Sequence, residues 1–400
     1  MANFQYHPLK AVFSIVLLWL LLAGPSGAQQ TYIQKGSEPL IPNFPHITVV
    51  SPFLDFQMES PGQGGRSGGI SIYGYYPDLL DGKLKFSGMY SNTILDLNLS
   101  TKLPLEVNKS SAPKEIEVGF GFAGELISAE NTLFVYSKGR RLHPFEFYTT
   151  EYGGKLFGRY PLSETGDMML TQQVKEYHFR ASKDTEVVLP GDTLALATTF
   201  EMSSVQKEIT AELEELSGWE YSAFLNYEWR ERVEEPSGAN PLRAISSRQF
   251  FKGEGYFLNF FSPSERQRIR LGLSGGIGSN LDFVSRFRLG SFLEGQGNTA
   301  LPGYYFSELR ADSYLLGQGT YTWVFSPDLK FSLEAAYGIS NNFLLPQRSR
   351  KAEAILGLAL GFQKKVYNIP FEIKYGYAPL ARRGDRRGGN EIFLGTFLAF

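Results

Sequence analysis

The chain has 400 residues, no cysteine and a formal net charge of −2, from 39 basic and 41 acidic side chains. The absence of cysteine excludes disulfides, thiolate metal sites and an acyl anchor, and the balanced charge argues against a nucleic-acid partner. Glycine (42 residues) and aromatic residues (14%) are abundant, which is typical of barrels that cross a membrane as strands, with rings at both interfaces and glycine at tight turns.

The first 28 residues have the order of a secretory signal peptide. Lys10 closes a short basic lead, an apolar run follows from Ala11 through Ala23, and small residues occupy 26–28. The run is short for a membrane-spanning helix, although an uncleaved anchor helix is the alternative. No later segment approaches eighteen consecutive apolar residues. We predict three regions: a signal peptide over 1–28, a short periplasmic segment over 29–45 and an outer-membrane barrel over 46–400.

Apolar and polar residues alternate along most of the chain after residue 46. This pattern predicts strands, because successive strand side chains point to opposite faces of a sheet. It is clearest at 95–100, 116–122, 219–230, 329–337 and 371–377. Soluble β-sandwiches alternate too, but here the apolar faces often begin or end in Tyr, Trp or Phe, as in the aromatic girdles of membrane barrels. We predict an all-β, transmembrane antiparallel barrel of about sixteen strands.

Two segments of the first half carry weaker signals. The glycine-rich stretch Gly62–Gly69 suggests a phosphate-binding loop, but such loops lead from a strand into a helix, and here the pattern predicts a strand at Ile70–Tyr76. We interpret the stretch as a turn or flexible lead. Residues 184–216 stay unassigned, with a short helix at Glu208–Leu216 as one possibility.

An enzyme acting on lipids is one functional class to weigh. Beyond the predicted signal peptide the histidines are His46, His143 and His178, and Ser182 follows the last of them by four residues. On a strand that offset keeps both side chains on one face but about 13 Å apart, too far for the hydrogen bond that a nucleophilic serine needs. No His, Asp and Glu residues have metal-ligand spacing. We therefore predict no enzyme activity, no metal and no cofactor.

The lengths of the connections predict which end of the barrel faces outward. Strands near 390–400, 367–378, 353–364, 329–340, 314–325 and 281–292 leave long connections at 379–389, 341–352 and 293–313 and short ones at 365–366, 326–328 and 278–280. Bacterial barrels have short periplasmic turns and long external loops, so a periplasmic C-terminus would put the long loops outside the cell. The alternation fails at 232–247, which is long where a turn is expected.

The last strand has an apolar face that ends in an aromatic residue. Ile392, Leu394, Leu398 and Phe400 share that face. Such a terminus resembles the signal by which outer-membrane barrels are recognised for assembly. It predicts a bacterial outer-membrane location, with the barrel assembly machinery as the partner during biogenesis and outer-membrane lipids and lipopolysaccharide as the surroundings.

The basic segment Arg382–Arg387 contains an Arg-Gly-Asp triplet. As an external loop it would suit lipopolysaccharide phosphates, since guanidinium groups bind phosphate through two hydrogen bonds. A plain solvated loop is the simpler interpretation, and adhesive use of the triplet needs far more context.

Leu289-Gly290-Ser291, followed by Leu301-Pro302-Gly303-Tyr304, resembles the BamA-type superfamily of bacterial surface-antigen or outer-membrane assembly-factor barrels. In that family a Leu-Gly-Gly-like turn leads into a long sixth external loop that carries a Val-Arg-Gly-Phe/Tyr tetrapeptide and folds into the lumen. Five strands then follow, as predicted here. Residues 226–238 and 367–371 are also similar to the family. The resemblance covers about 220–400 and points to the subgroup that lacks N-terminal periplasmic domains.

The resemblance also implies a function and a set of contacts. The family's loop arginine, which bonds to acidic groups on the inner wall, is replaced here by Pro302, and Glu334 is the candidate wall acid. By resemblance, the chain would insert or transport a protein or lipid client at the outer membrane. A passive diffusion pore, or a structural barrel without a client, is the alternative. We interpret Leu301–Tyr304 as a structural plug in preference to an active gate.

Overall fold

The computed structural model describes residues 47–400 with gaps. Those gaps are 59–64, 92–93, 106–113, 133–134, 138–139, 143–145, 164, 182–188, 190, 210–214, 234–246, 292–297, 306–307, 345–348, 368, 384–385, 397 and 400. The predicted signal peptide and the 29–45 segment therefore lie outside the described residues, as do His46, His143, Ser182 and Phe400.

Almost all of the described chain is β-strand. The strands are β1 (Ile47–Met58), β2 (Gly65–Asp78), β3 (Leu84–Ser91), β4 (Ile94–Leu105), β5 (Lys114–Thr132), β6 (Val135–Ser137), β7 (Arg140–Leu142), β8 (Glu146–Pro161), β9 (Gly166–Ala181), β10 (Thr193–Ile209), β11 (Glu215–Arg230), β12 (Gln249–Ser264), β13 (Gln267–Ser279), β14 (Phe287–Leu289), β15 (Asn298–Thr299), β16 (Leu309–Ser326), β17 (Leu329–Leu344), β18 (Ser349–Val366), β19 (Ile369–Tyr377), β20 (Arg382–Arg383), β21 (Arg386–Arg387), β22 (Asn390–Thr396) and β23 (Leu398–Ala399). One helical turn, α1 (Leu79–Gly82), links β2 to β3. Across the described ranges, no helix has the length and apolar character needed to cross a membrane.

Sixteen long strands of the described chain form one antiparallel sheet. They are β1–β5, β8–β13, β16–β19 and β22, and each pairs with the next in this order. The last of these sixteen strands, β22, also pairs with β1, from Phe53 opposite Gly395 to Met58 opposite Asn390. The series of pairings thus returns to its first strand. The predicted fold class, an antiparallel barrel of about sixteen strands, is confirmed.

The two faces of the sheet differ as the alternation predicts. On β18, Leu358, Leu360 and Phe362 are exposed and point outward, whereas Ala359 and Gly361 between them are buried. Similar exposed apolar residues recur on strands around the barrel. Soluble monomers rarely expose apolar patches larger than a few hundred Å², so this outer surface is suited to contact with lipid.

The inner face carries paired charges. Lys85 contacts Glu117 at 2.7 Å, Lys155 contacts Asp96 at 2.7 Å, and Lys207 pairs with Glu220. Ion pairs of this kind satisfy charges that a folded chain holds away from bulk water.

The long and short connections of the barrel lie at opposite ends. The longest, 133–145, 182–192, 231–248, 280–308 and 378–389, share one end, the loop side. The opposite end, the turn side, has short connections such as 162–165, 265–266 and 327–328. The segment 280–308 is the sixth connection on the loop side, and we call it loop six.

The connection expected at 341–352 is only 345–348, since β17 ends at Leu344 and β18 begins at Ser349. Two further sequence predictions, about the strands themselves, are wrong. The strand expected at 281–292 is absent, since β13 ends at Ser279 and only the three residues of β14 are extended within that range. Asn280 turns the chain with a positive φ of 56°, after which consecutive apolar residues are buried instead of alternating. Without a strand at 281–292, the long connection 231–248 between β11 and β12 falls on the loop side. It therefore no longer breaks the alternation of long and short connections. The short helix suggested for Glu208–Leu216 is also wrong, because its ends belong to β10 and β11.

A charge placed on the outward face should destabilise the barrel in a lipid bilayer. We expect Leu358→Arg, near the middle of β18, to lower the free energy of unfolding by about 2–4 kcal/mol, because the guanidinium would meet hydrocarbon. Urea unfolding of the chain refolded into vesicles measures this change. The matched control is Gln363→Arg, on the inward face of the same strand; equal losses in both variants would contradict a lipid-facing outer surface.

Candidate functional site in the lumenal loop

Loop six begins with a buried ion cluster at the loop side of the barrel. Arg230, the last residue of β11, contacts Glu228 at 2.7 Å and Asp282 of loop six at 2.5 Å. Glu228 also contacts Lys175 at 2.8 Å and accepts a hydrogen bond from the Tyr177 hydroxyl at 2.8 Å. The Arg230 side chain is 0% exposed, so this cluster fixes the first residues of the loop to the inner wall.

Asp282 also organises the local turn, because its carboxylate accepts hydrogen bonds from the Ser285 backbone N–H and hydroxyl. Four residues further on, Arg286 forms a second ion pair with Asp312 of β16, at 2.9 Å. The start of loop six is therefore attached to the wall at two places.

The Leu-Gly-Ser turn of the sequence holds the loop tip by backbone contacts. Gly290 and Ser291 have positive φ values of 145° and 61°. Leu301 N–H donates to Ser291 C=O at 2.8 Å, and Ser291 N–H donates to Tyr304 C=O at 2.9 Å. A Cβ at position 290 would overlap the Tyr305 carbonyl oxygen, so only glycine allows this approach.

The tetrapeptide Leu301–Tyr304 lies against the inner wall of the barrel. Leu301 is 0% exposed and Tyr304 is 2% exposed. Pro302 packs on Gly357 of β18, where a Cβ would come within 2.6 Å of the proline carbonyl oxygen. Gly303 has a φ of +79°, and a Cβ there would lie 2.4 Å from the backbone of Tyr377 and Ala378. The tip is thus packed backbone against backbone.

The aromatic residues after Gly303 are buried with the tip. Burial raises the pKa of the Tyr304 hydroxyl well above its ordinary value. Tyr305 is 0% exposed, and the guanidinium of Arg383 lies 3.5 Å from the centre of its ring.

Two charged side chains from the C-terminal end of the chain bind the tip. Glu391 of β22 accepts hydrogen bonds from the Ser291 hydroxyl at 2.5 Å and from the Gly303 N–H at 3.1 Å. Arg383 donates to both carboxylate oxygens of Glu308, at 3.0 and 2.8 Å, and to the Gly303 carbonyl at 3.4 Å. We call these five residues the loop-six anchor: Ser291, Gly303, Glu308, Arg383 and Glu391.

A further set of contacts holds the residues just before the tetrapeptide. The Thr299 hydroxyl lies 3.2 Å from Glu254 of β12 and 3.1 Å from the Tyr314 hydroxyl of β16. Gln318 of β16 donates to the Ala300 carbonyl at 3.2 Å. Together with the anchor, these contacts place loop six along the inner wall from β12 to β22, so the predicted folding of the sixth loop into the lumen is confirmed.

The sequence named Glu334 as the candidate wall acid. Glu334 lies on the inner face of β17 and pairs with Lys374 of β19 at 3.1 Å. The acid that contacts the tetrapeptide is Glu391. In the family resemblance the loop arginine stands at the position of Pro302. Here the cation beside the tip is instead Arg383, which lies outside the tetrapeptide and contacts Gly303. The sequence signal for Arg383 was the basic run 382–387.

Three of the four residues predicted to form the C-terminal assembly signal lie in the described part of the chain. Ile392 and Leu394 lie on β22 and Leu398 on β23, whereas Phe400 is outside the described residues. Within the basic segment, Arg382 and Arg387 are exposed while Arg383 is buried.

His178 has neighbours that the sequence did not reveal. Its Nδ1 lies 3.0 Å from an Asp192 carboxylate oxygen, and its Nε2 lies 3.5 Å from Glu176 and 2.9 Å from the Tyr152 hydroxyl. Asp192 is fourteen positions further along the chain, and it lies beside His178 because β10 pairs antiparallel with β9. No spacing rule for local motifs could have identified this group.

Comparison with known proteins gives a likeness of fold. No protein-family model matches the chain, and no characterised sequence is similar to it. BamA from Haemophilus ducreyi, solved without POTRA domains 1–3, is similar at a TM-score of 0.55 and 10% identity, over 96% of this chain and 78% of that one. CdiB from Acinetobacter baumannii is similar at a TM-score of 0.53 and 13% identity, over 90% of this chain and 60% of that one. CdiB from Escherichia coli is similar at a TM-score of 0.53 and 12% identity, over 93% of this chain and 67% of that one.

These comparisons support a BamA-like barrel fold for this chain. The identities are too low to transfer an activity, and the chain spans less than two thirds of the A. baumannii CdiB chain.

Proposed function

We propose that this chain is a bacterial outer-membrane barrel that takes part in inserting or transporting a protein or lipid client, with loop six as an internal plug. One observation carries the proposal: the tip of loop six is fully buried inside the barrel and held there by the loop-six anchor. Barrel interiors are either water-filled channels, as in porins, or plugged by loops, so a tip fixed inside the barrel favours a plugged barrel over an open pore.

The remaining parts of the proposal follow from the same architecture. The apolar outer face would contact membrane lipids, and exposed Arg382 and Arg387 would meet lipopolysaccharide phosphates on the loop side. The turn side, which holds the C-terminal strand, would face the periplasm, where the barrel assembly machinery would receive the last strand. The chain would act without enzyme activity of its own, and the client stays unidentified.

A structural barrel without a client is the second candidate. It is favoured by the pairing of β1 with the last strands, which continues beyond β22 to Val49 and Val50 opposite Ala399 and Leu398. A barrel that never opens would keep these pairs permanently. The two candidates therefore differ in whether the seam between β1 and β22 must separate during function.

A disulfide across the seam discriminates between the candidates. Leu54 and Leu394 are direct neighbours on β1 and β22, and the chain has no cysteine of its own. We expect the double variant Leu54→Cys, Leu394→Cys to lose its ability to restore the outer-membrane permeability barrier in a deletion strain of the source bacterium. Reduction of the disulfide should bring that ability back, because the locked seam could not open for a client.

The matched control locks a pair far from the seam. Leu333 of β17 and Leu360 of β18 are also opposed leucines on the outward face, and their cysteine variant should complement normally. If the seam-locked and control variants both complement under oxidising conditions, seam opening is not required and the structural barrel is the better description. A deletion strain that lost only solute uptake would favour a passive pore.

A further inference from the structure

Three potential metal ligands lie together at the loop-side end of β9 and β10. Glu176 and His178 are on β9, and Asp192 immediately precedes β10. One ligand atom from each side chain lies within 4.8 Å of the other two. An imidazole nitrogen with two carboxylate oxygens is a donor set that suits Zn²⁺, whereas Ca²⁺ and Mg²⁺ favour oxygen ligands alone.

The cluster is on the outer surface, at the edge of the apolar band. Leu170 and Val174 are exposed on the outward face of β9, and Glu176 and His178 continue that face because strand side chains alternate with a period of two. Leu194 of β10 is exposed opposite Glu176, which puts Asp192 level with His178. The three ligands therefore lie where the strands leave the apolar band on the loop side.

The imidazole is already oriented by its neighbours. The ring of His178 stacks on the ring of Tyr152, with centroids 5.2 Å apart and an angle of 27° between the planes. The Tyr152 hydroxyl lies 2.9 Å from Nε2, and Asp192 lies 3.0 Å from Nδ1. Metal-binding histidines commonly use the second ring nitrogen for such a hydrogen bond, which fixes the ring and its tautomer.

The surroundings leave the cluster accessible and negatively charged. The side chains of His178, Glu176 and Asp192 are 32%, 39% and 59% exposed, so an ion can enter from the solvent without any change in the barrel. The nearest cation on the same face of β9 is Arg180, whose guanidinium lies over the Tyr148 ring. Two carboxylates with this exposure attract a divalent cation.

We propose that Glu176, His178 and Asp192 bind one Zn²⁺ ion on the outer rim of the barrel. The ion would take Nδ1 of the imidazole and two carboxylate oxygens at about 2.0–2.2 Å. Asp192 already lies beside Nδ1 and Tyr152 beside Nε2, so the exposed Glu176 carboxylate, now 3.5 Å from Nε2, is the ligand that must rotate. Water would complete the coordination. The site is separate from loop six, so it stands or falls independently of the function proposed above.

Isothermal titration of ZnCl₂ into the full chain, refolded in detergent and stripped of metal, tests the site. We expect one Zn²⁺ per chain, a loss of affinity greater than tenfold in both His178→Ala and Asp192→Asn, and no competition from an equal concentration of MgCl₂. Heat-modifiable migration on gels verifies that each variant has folded.

His143→Ala is the matched control, because it removes a histidine that is not one of the three proposed ligands and should leave zinc binding unchanged. Two outcomes overturn the proposal: zinc binding that survives both ligand variants, which would mean an adventitious ion only, and no measurable binding by the folded wild type.

Discussion

Replacement of Gly303 by valine is expected to open the lumen. Gly303 has a φ of +79°, and a Cβ there would lie 2.4 Å from the Ala378 nitrogen and the Tyr377 carbonyl carbon. A non-glycine residue in this conformation costs about 1–3 kcal/mol, and the contacted atoms are backbone of the barrel wall, which cannot move aside. The tip must therefore leave the wall, and the hydrogen bond from Gly303 N–H to Glu391 is lost with it.

Single-channel conductance in planar bilayers measures this effect. We expect the wild type to be closed or to flicker, and Gly303→Val to approach the steady, large conductance of a variant that lacks residues 299–307. The barrel itself should still form, because residues 299–307 belong to none of its sixteen long strands. Heat-modifiable migration on gels checks that point separately.

The matched control for this prediction is Gly158→Val on β8. A Cβ at Gly158 meets no atom within 4 Å, and a β-branched residue is favourable in a strand. Its conductance should equal that of the wild type. If the valine variant at 303 and the deletion both conduct like the wild type, loop six does not limit the current and the plug assignment is wrong.

Removal of the Arg230 charge is expected to cause the largest loss of stability. The Arg230 guanidinium contacts Glu228 and Asp282, and all three side chains are at most 1% exposed. Arg230→Met keeps much of the side-chain volume but deprives two buried carboxylates of this cation. Breaking a buried ion pair from one side typically costs about 3–5 kcal/mol, and urea unfolding of the refolded chain should show a loss of that order.

A rescue variant separates the electrostatic cause from a packing defect. We expect Arg230→Met combined with Asp282→Asn to regain part of the lost stability, because a neutral amide at 282 no longer needs the cation and Glu228 keeps its ion pair with Lys175. Arg232→Met is the matched control, since its side chain is 67% exposed and lies 4.0 Å from Glu231, and surface pairs contribute little. A double variant no more stable than Arg230→Met alone would show that packing, and not charge, makes Arg230 important.

The strands of the barrel were predictable because their signal is local. Alternation at 329–337 and 371–377 led directly to β17 and β19, since the period of two depends only on which face meets lipid. The prediction failed at 281–292, where successive apolar residues are buried in loop six. A run of apolar residues does not by itself distinguish a strand from a loop folded into the interior.

The contacts of the loop tip were less predictable. The sequence identified Leu301–Tyr304 as the special segment of a lumenal loop, and the structure places those residues inside the barrel. It could not identify Glu391 as the acid that binds the tip, because that choice depends on where β22 lies relative to loop six. Arg383 was missed for the same reason: a basic run in a loop gives no sign of which member turns inward.

The sequence by itself therefore determined the class of fold, the number of strands and the segment that enters the lumen. The first two depend on alternation within a few residues of the chain, and the third came from the resemblance to the BamA-type barrels. Only the tertiary structure decided which charges meet. Glu391 lies 88 positions from Gly303, Arg230 lies 52 positions from Asp282, and Asp192 reaches His178 only through the register of β9 and β10. Strand register and loop path bring such residues together, and neither is written in local periodicity.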